Sequence, residues 1–302
     1  MKVNFRRLVS VFCSLAMCAA LLPAAVLADG PEVAQMGDTT YPTLQAAVDA
    51  AGTDAATITL LDNTAETVTV GAGKNITLDL NGKTVTGQAN AAVLVDGGSL
   101  TVQDSTATAE PVVNDDYTVT YTSGVLEAGA GKHAVQVYNG GSFVLQSGTV
   151  SSTGNCGIYA GAENNGSGTA TINGGYVHAR EYGVGAMNKG TTLNINGGVI
   201  VADDNAAVAG NGTEGLGGTT INIAGGTMIS KLITSGYITC GVYHPQSGTL
   251  NITGGTIVST NGVGVLMRGG SANITGGTII AHGTGEGKVG DSTVLSGHYG
   301  VL

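Results

Sequence analysis

The feature that most constrains this chain is an eleven-residue unit that recurs at nearly regular intervals. Its clearest copy, residues 249–259, reads Thr-Leu-Asn-Ile-Thr-Gly-Gly-Thr-Ile-Val-Ser, and further copies occupy 192–202, 220–230, 271–281 and, less regularly, 169–179. The doubled glycines in these copies are spaced 23, 28, 29 and 22 residues apart, ending at Gly175, Gly198, Gly226, Gly255 and Gly277. A period in this range with variable length predicts a solenoid whose insertions lie in loops.

Within each copy apolar residues alternate with polar ones, as Leu250 and Ile252 alternate with Asn251. This period of two predicts β-strands, and the glycine pairs predict tight corners between them. A second strand follows each glycine pair, and a third precedes the next copy, at segments such as 156–159 and 240–243. We therefore predict three short strands in each coil, with every strand paired in parallel to its counterpart in the next coil.

The pattern Asn-Ile-Thr-Gly-Gly-Thr-Ile, together with the opening segment Tyr41–Ala51, resembles the right-handed parallel β-helix of the pectin-lyase-like superfamily. The resemblance extends from about Tyr41 to the last residue. It implies an all-β fold of the kind found in adhesin-like repeat proteins of bacterial cell surfaces. It does not imply an activity, because one fold can carry enzymes and binding proteins alike.

The N-terminal part of the sequence predicts three consecutive segments. Residues 1–28 have a basic start, an apolar run and a small-residue cleavage site before Asp29, which is typical of a secretory signal peptide. Residues 29–42 form a short lead. Residues 43–302 form a single β-helix domain, whose first element is predicted to be a capping α-helix at about 43–52 with Thr43 as its N-cap.

Two parts of this domain depart from the repeat. Residues 104–132 match it poorly and predict an irregular insertion, which is either a functional flap or a loop without a role. Residues 298–302 match the segment 240–243, so the sequence ends within a coil. This ending predicts either a fragment that is truncated at its C-terminus, with further modules missing, or an end that is covered by a partner, and the fragment is the simpler interpretation.

Three columns of side chains are expected to face outward from the stacked coils. The first predicts an amide hydrogen-bond ladder, with a carbohydrate-contacting surface as the alternative, and contains Asn194, Asn222, Asn251 and Asn273. The second column consists of β-branched residues, which are Val201, Ile229, Val258 and Ile280. This composition is explained either by strand propensity or by a surface on which a loop or a neighbouring domain packs. The third contains Tyr159 and Tyr243, whose rings suit stacking on sugars but lie three coils apart and form a poor joint platform.

Cys156 and Cys240 occupy equivalent positions in coils that are three steps apart. At about 4.8 Å for each coil their separation is roughly 14 Å, whereas the Cα atoms of a disulfide lie within about 7 Å. We therefore predict two free, buried thiols. Cys13 and Cys18 belong to the signal peptide.

The sequence shows no catalytic constellation. A glycosidase needs two close carboxyl groups, and the candidate acids are Asp115, Asp116, Glu181, Asp203, Asp204 and Glu214. The two arginines of the mature chain, Arg180 and Arg268, fall at different corners and are not expected to converge on a lyase site. Metal-ligand spacing is absent among the histidines, which are His133, His178, His244, His282 and His298. We therefore predict no catalytic, cofactor-binding or metal-binding residue.

Charge and composition limit the partners of the protein. Loss of the signal peptide would leave eight basic and 21 acidic residues, a net charge of −13. Such a surface repels nucleic acid and anionic membranes, and no membrane span is expected after signal cleavage. The sequence favours a secreted or surface-displayed bacterial protein with a structural, adhesive or glycan-binding role towards glycans, host or cell-wall components. The alternative is a polysaccharide-acting glycosidase or lyase of the same superfamily.

Overall fold

The computed structural model describes residues 31–88, 91–129, 131–162, 166–210, 218–231, 239–244, 248–283, 286–289, 292–296 and 300–301. The chain divides into a unit of residues 1–31 and a unit of residues 32–302, and the fold is that of the second unit. The predicted signal peptide at 1–28, Glu214 and His298 lie outside the described residues. The second unit is a parallel β-helix, as the repeat predicts.

Three long sheets make up the β-helix. Sheet A contains β1 (Ala34–Met36), β2 (Thr39–Tyr41), β3 (Ala55–Leu60), β6 (Asn75–Asp79), β9 (Ser99–Gln103), β14 (Gly141–Leu145), β17 (Gly168–Ile172), β20 (Thr192–Ile195), β23 (Thr220–Ile223), β26 (Thr249–Ile252) and β29 (Ser271–Ile274). Sheet B contains β4 (Thr64–Ala65), β7 (Thr84–Thr86), β12 (Val125–Ala128), β15 (Thr149–Ser152), β18 (Tyr176–Ala179), β21 (Val199–Ala202), β24 (Thr227–Ser230), β27 (Thr256–Ser259) and β30 (Thr278–Ala281).

Sheet C contains β5 (Val68–Gly71), β8 (Val93–Asp96), β13 (Val135–Tyr138), β16 (Ile158–Ala160), β19 (Val184–Ala186), β22 (Val208–Ala209), β25 (Thr239–His244) and β28 (Gly262–Met267). Two antiparallel hairpins lie outside these sheets, formed by β10 (Val112–Val113) with β11 (Val119–Thr120), and by β31 (Glu286–Val289) with β32 (Ser292–Ser296). Beyond β28, Val301 pairs in parallel with Val265, which agrees with the predicted match of the last residues to a sheet C strand.

Equivalent residues of successive coils pair in register. Ile195 pairs with Ile223, Ile223 with Ile252, and Ile252 with Ile274. The first three of these side chains are at most 1% exposed, and they pack with inward residues of the other two sheets in one continuous core. The predicted stacking inside a common tube is therefore confirmed for these three side chains, whereas Ile274, on the last strand of sheet A, is in register but 38% exposed.

The glycine pairs form the corners between sheet A and sheet B. At one such corner Gly198 has a φ of 74°, a conformation that glycine adopts without the strain of other residues. A Cβ atom on Gly197 would lie 2.3 Å from the carbonyl oxygen of Asn173 in the preceding coil. Only glycine allows the coils to stack this closely at the corner, which explains why the pair recurs.

A short helix packs on the first coil, as predicted. Helix α1 (Leu44–Ala50) follows Thr43, whose Oγ1 accepts a hydrogen bond from the N–H of Ala46 at 3.0 Å. Three of its residues are buried in the core of the β-helix, and these are Leu44, Ala47 and Val48. The described part of the chain contains no helix that is long and apolar enough to cross a lipid bilayer.

The predicted asparagine ladder is present on the outer face of sheet A. The side-chain amide of Asn222 donates to Oδ1 of Asn194 at 2.9 Å, and that of Asn251 donates to Oδ1 of Asn222 at 2.8 Å. Asn194 in turn donates to Oγ1 of Thr171 at 3.3 Å. The amides of these three asparagines thus bond to one another along the axis, which supports a structural role for them. Asn273 is in register with Asn251 and is exposed.

The insertion predicted at 104–132 is shorter than expected and has regular structure. Val125–Ala128 forms strand β12, which pairs in parallel with β7 and β15, so the coil resumes before residue 132. Residues 105–123, which we call the arm, contain the hairpin of β10 and β11. Asp104 holds both ends of the arm, because its carboxylate accepts hydrogen bonds from the N–H groups of Thr106 and Gly124.

The arm covers the outward β-branched column of sheet B. Val201, Ile229 and Val258 are at most 2% exposed although they lie outside the central core. Arm residues pack against this cluster, and these are Val113, Tyr117 and Val119. The hydroxyl of Tyr117 also lies 2.8 Å from Nε2 of His282, which follows β30. The column therefore seats a loop, one of the two predicted alternatives, and the loop belongs to the chain itself.

Tyr117 should control how firmly the arm is attached. Its backbone φ is 62°, a left-handed conformation that glycine adopts without strain. The tyrosine ring is therefore present at a position where it costs backbone strain. The variant Tyr117→Phe loses only the hydrogen bond to His282, and we expect it to destabilise the docked arm by about 1 kcal/mol. Tyr117→Gly, which also loses the ring, should raise the rate of protease cleavage in the arm about tenfold or more.

Limited proteolysis followed by mass spectrometry measures this rate. Asp115→Gly is a matched control, since it adds a glycine to the same turn at an exposed residue that does not pack on sheet B. Equal cleavage rates in the wild type and in Tyr117→Gly would show that the tyrosine does not attach the arm.

Candidate functional site

A cleft of about 330 Å³ lies on the outer face of sheet C. Its floor is one in-register column, in which Tyr159 pairs with Gly185, Gly185 with Ala209, and Ala209 with Tyr243. The two middle residues are small and buried, and the tyrosine rings lie at the two ends of this column. The tyrosines are three coils apart, which corresponds to roughly 14 Å at about 4.8 Å for each coil.

Tyr159 forms one wall, and neighbouring residues fix the position of its ring. The imidazole ring of His133 stacks on it, with centroids 4.5 Å apart and planes inclined by 6°. The tyrosine hydroxyl donates a hydrogen bond to Sδ of Met187 at 3.0 Å. Gly185 makes room for the ring, since a Cβ atom there would lie 3.2 Å from Cδ2 of Tyr159. This wall is therefore ordered by the protein alone.

Tyr243 forms the opposite wall, and Tyr182 contributes a third ring to the lining. Nη1 of Arg268 donates a hydrogen bond to the hydroxyl of Tyr243 at 3.1 Å. Tyr182 packs on an apolar cluster beside the floor, and burial raises its pKa to about 12, with smaller contributions from Cys156 and Glu181. The hydroxyl of Tyr182 therefore keeps its proton and remains a hydrogen-bond donor at neutral pH.

His133 is uncharged at neutral pH. Burial lowers its pKa to about 4, and the positive charge of Lys132 acts in the same direction. Its Nδ1 accepts a hydrogen bond from the backbone N–H of Cys156 at 3.3 Å, so the proton of the neutral ring is assigned to Nε2. The stacked pair of His133 and Tyr159 is thus an uncharged aromatic surface that carries polar groups at its edges.

The predicted free cysteines are confirmed, and they are chemically quiet. Both thiols are buried and unpaired, and the strand register places Cys156 and Cys240 three coils apart. Burial raises the pKa of both thiols far above the usual range. Since only the thiolate is a strong nucleophile, neither residue supports covalent catalysis at neutral pH, although Cys156 lines the cleft.

Two of the candidate acids lie at the turn of the arm. Asp116 accepts hydrogen bonds from Oγ1 of Thr118 at 2.6 Å and from its N–H at 3.0 Å, and these bonds lower the pKa of the carboxyl group. Asp115 precedes it and is exposed. The pair therefore stabilises a tight turn between β10 and β11, and neither residue lines the cleft.

Two further candidate acids, Asp203 and Asp204, pair with bases. Asp203 Oδ2 lies 2.9 Å from Nε2 of His178, and Asp204 Oδ2 accepts a hydrogen bond from Nε of Arg180 at 3.0 Å. Arg180 follows a strand of sheet B whereas Arg268 follows a strand of sheet C, so the two arginines lie at different corners as predicted. None of the described residues that line the cleft is an aspartate or a glutamate.

The histidines are dispersed over the molecule. His178 pairs with Asp203, His282 contacts the arm, and His133 lies in the cleft. His244 is fully buried beside Gly248, and burial lowers its pKa. Among the described residues no three metal-ligating side chains come together.

The cleft combines residues that the sequence analysis identified with others that it missed. The strand register places Tyr159 and Tyr243 three coils apart, as predicted, with the small residues Gly185 and Ala209 between them. The predicted distance excludes joint stacking on one sugar ring, yet it allows both tyrosines to contact a longer ligand. The sequence analysis did not identify the contributions of His133, Tyr182 and Met187. Their positions depend on corners whose lengths vary from coil to coil.

Comparison of the chain with protein-family models, with curated proteins and with solved structures found no match.

Protonation of His133 should destabilise the fold at acidic pH. Its pKa is about 4 in the folded protein and 6.5 in the unfolded chain, so between these values the unfolded state binds the proton first. The contribution of neutral His133 to the free energy of unfolding should be complete above pH 6.5. As the pH falls towards 4, the free energy of unfolding should decrease by up to about 3 kcal/mol. Urea denaturation across this pH range measures the loss.

His133→Phe is the matched variant, because it keeps a ring that can stack on Tyr159 but cannot be protonated. His244 also has a pKa that is lowered by burial, so the difference between the wild type and the variant isolates the effect of His133. If the two proteins lose stability identically with falling pH, His133 does not titrate in the way the geometry requires.

Proposed function

We propose that the protein is secreted or displayed on a bacterial cell surface, where its β-helix binds glycans in the sheet C cleft without cleaving them. The observation that carries the proposal is the pair of tyrosines, Tyr159 and Tyr243, which line one cleft and are separated by the small residues Gly185 and Ala209. The apolar face of a tyrosine packs on the C–H face of a sugar ring, while its hydroxyl bonds to sugar hydroxyls.

The size of the cleft supports a short oligosaccharide as the ligand. A volume of about 330 Å³ is at the lower end of the range of roughly 300–1,000 Å³ for ligand sites. The tyrosines are roughly 14 Å apart, which is longer than one sugar ring. Each tyrosine would contact a different sugar unit, with the middle of the ligand lying over the small residues.

The chemistry of the lining supports binding rather than hydrolysis. Glycosidases need two carboxyl groups about 5–9.5 Å apart, and the described residues of the lining supply none. The thiol of Cys156 is protonated and the imidazole of His133 is neutral at pH 7, so neither supplies a charged catalytic group. No observation in the described structure favours the alternative of a polysaccharide-acting enzyme.

The architecture and sequence support presentation of this cleft outside the cell. Nine parallel strands of sheet A, from β3 to β29, span roughly 40 Å at about 4.8 Å for each interval. The asparagine ladder and the docked arm join several coils, which makes the solenoid a stiff support. The signal-like residues 1–28 support secretion, and the excess of acidic residues disfavours nucleic acid and anionic membranes as partners.

Calorimetry against a panel of soluble oligosaccharides, with parallel measurement of reducing-end release, tests the proposal. We expect binding without product release. Tyr159→Ala and Tyr243→Ala should each weaken binding about tenfold, because loss of one stacking ring costs roughly 1.4 kcal/mol.

Tyr138→Ala is the control, since Tyr138 belongs to sheet C but does not line the cleft. The Tyr138→Ala variant should bind the oligosaccharides with the same affinity as the wild type. Product release by the wild type would show that the protein is an enzyme. Equal losses of affinity in all three variants would show that the cleft is not the binding site.

A further inference from the structure

The Tyr243 end of the cleft carries an arginine whose charge is not neutralised by a carboxylate in the described structure. Arg268 is exposed, and its Nη1 donates a hydrogen bond to the hydroxyl of Tyr243 at 3.1 Å. Its backbone N–H donates to the carbonyl oxygen of His244 at 3.1 Å, which ties the residue to the strand of Tyr243. The guanidinium group is therefore held beside the wall of the cleft.

This arrangement is unusual in so acidic a chain, which has 21 acidic and 11 basic residues. The other arginine of the described chain, Arg180, forms an ion pair with Asp204 at 3.0 Å. Between described residues the ion pairs are that one and the pair of His178 with Asp203, and neither involves Arg268. A guanidinium group has five N–H donors in a planar fork, so most donors of Arg268 are available to a ligand.

The charges at the other end of the cleft are mixed. Burial keeps His133 neutral at the Tyr159 end, where Lys132 and Glu181 contribute charges of opposite sign. Glu181 is close enough to raise the pKa values of Cys156 and Tyr182, both of which line the cleft. An anionic group on the ligand is therefore favoured beside Arg268 and opposed beside Glu181.

We infer that the ligand is an oligosaccharide with one terminal carboxylated sugar, whose carboxylate binds Arg268 while its neighbouring sugar stacks on Tyr243. The inference rests on the proposed glycan-binding function and names the ligand class for the same cleft. A planar carboxylate matches the guanidinium fork in a bidentate manner, which a lysine could not reproduce. A polyuronate would place a second carboxylate near Glu181 and is disfavoured.

The test uses pairs of oligosaccharides that differ only at the terminal sugar, which is neutral, carboxylated or sulfated. For the wild type we expect calorimetry to give a Kd for the carboxylated form roughly 10- to 100-fold below that of the neutral form, because hydrogen bonds to charged groups are strong. The ratio should fall with added salt. A higher affinity for the sulfated form than for the carboxylated form would overturn the assignment of a carboxylate.

Variants identify the residue responsible. Arg268→Gln should bring the ratio of the two Kd values close to 1, whereas Arg268→Lys should retain only part of it. Arg180→Gln removes the same charge outside the cleft and should leave the ratio as in the wild type. Circular dichroism and urea denaturation check that each variant is folded.

The outcomes separate this inference from the proposed function. Equal binding of neutral and carboxylated forms by the wild type, or a preference that survives in Arg268→Gln, overturns the inference and leaves glycan binding intact. If no member of any pair binds, the proposed function falls, and this inference falls with it.

Discussion

Parallel hydrogen bonding between successive coils, which keeps equivalent residues in register, is the constraint on which this structure depends. It brings Ile195, Ile223 and Ile252 together inside the tube and places Asn194 and Asn222 close enough to share an amide hydrogen bond. A slip of one residue would exchange the inner and outer faces of a strand. The corner glycines are therefore part of the same constraint, because only residues without a Cβ allow the coils to approach this closely.

The same register gives the three outer faces different properties. On sheet A the asparagines bond to one another, so their polar groups are largely used within the protein. On sheet B the arm covers a β-branched column that would otherwise be exposed to water. On sheet C two small residues lie between two large rings, and this difference in side-chain size along one column accompanies the cleft. The cleft thus arises from the sequence of one outward column rather than from an inserted domain.

Burial makes the lining of this cleft suitable for recognition rather than for reaction. It keeps His133 neutral, keeps Tyr182 and Cys156 protonated, and holds the ring of Tyr159 between fixed neighbours. A preorganised, uncharged aromatic surface binds a ligand without first having to be ordered. Arg268 lies beside the lining, bonded to Tyr243, and is exposed and charged, so its position at one end gives the cleft a direction.

The sequence by itself determined the coil: the period, the alternation and the glycine pairs are local patterns that predict strands, corners, the asparagine ladder, Thr43 as a helix cap and two free cysteines. It also marked Val201, Ile229 and Val258 as an outward column, but it left open whether anything covers them. Only the tertiary structure decided that the arm does so, since the contact of Tyr117 with His282 joins residues 165 positions apart. It likewise decided that His133, Tyr182 and Arg268 border the column of Tyr159 and Tyr243. Such contacts depend on how far each corner carries the chain around the axis, and no local pattern of residues specifies that distance.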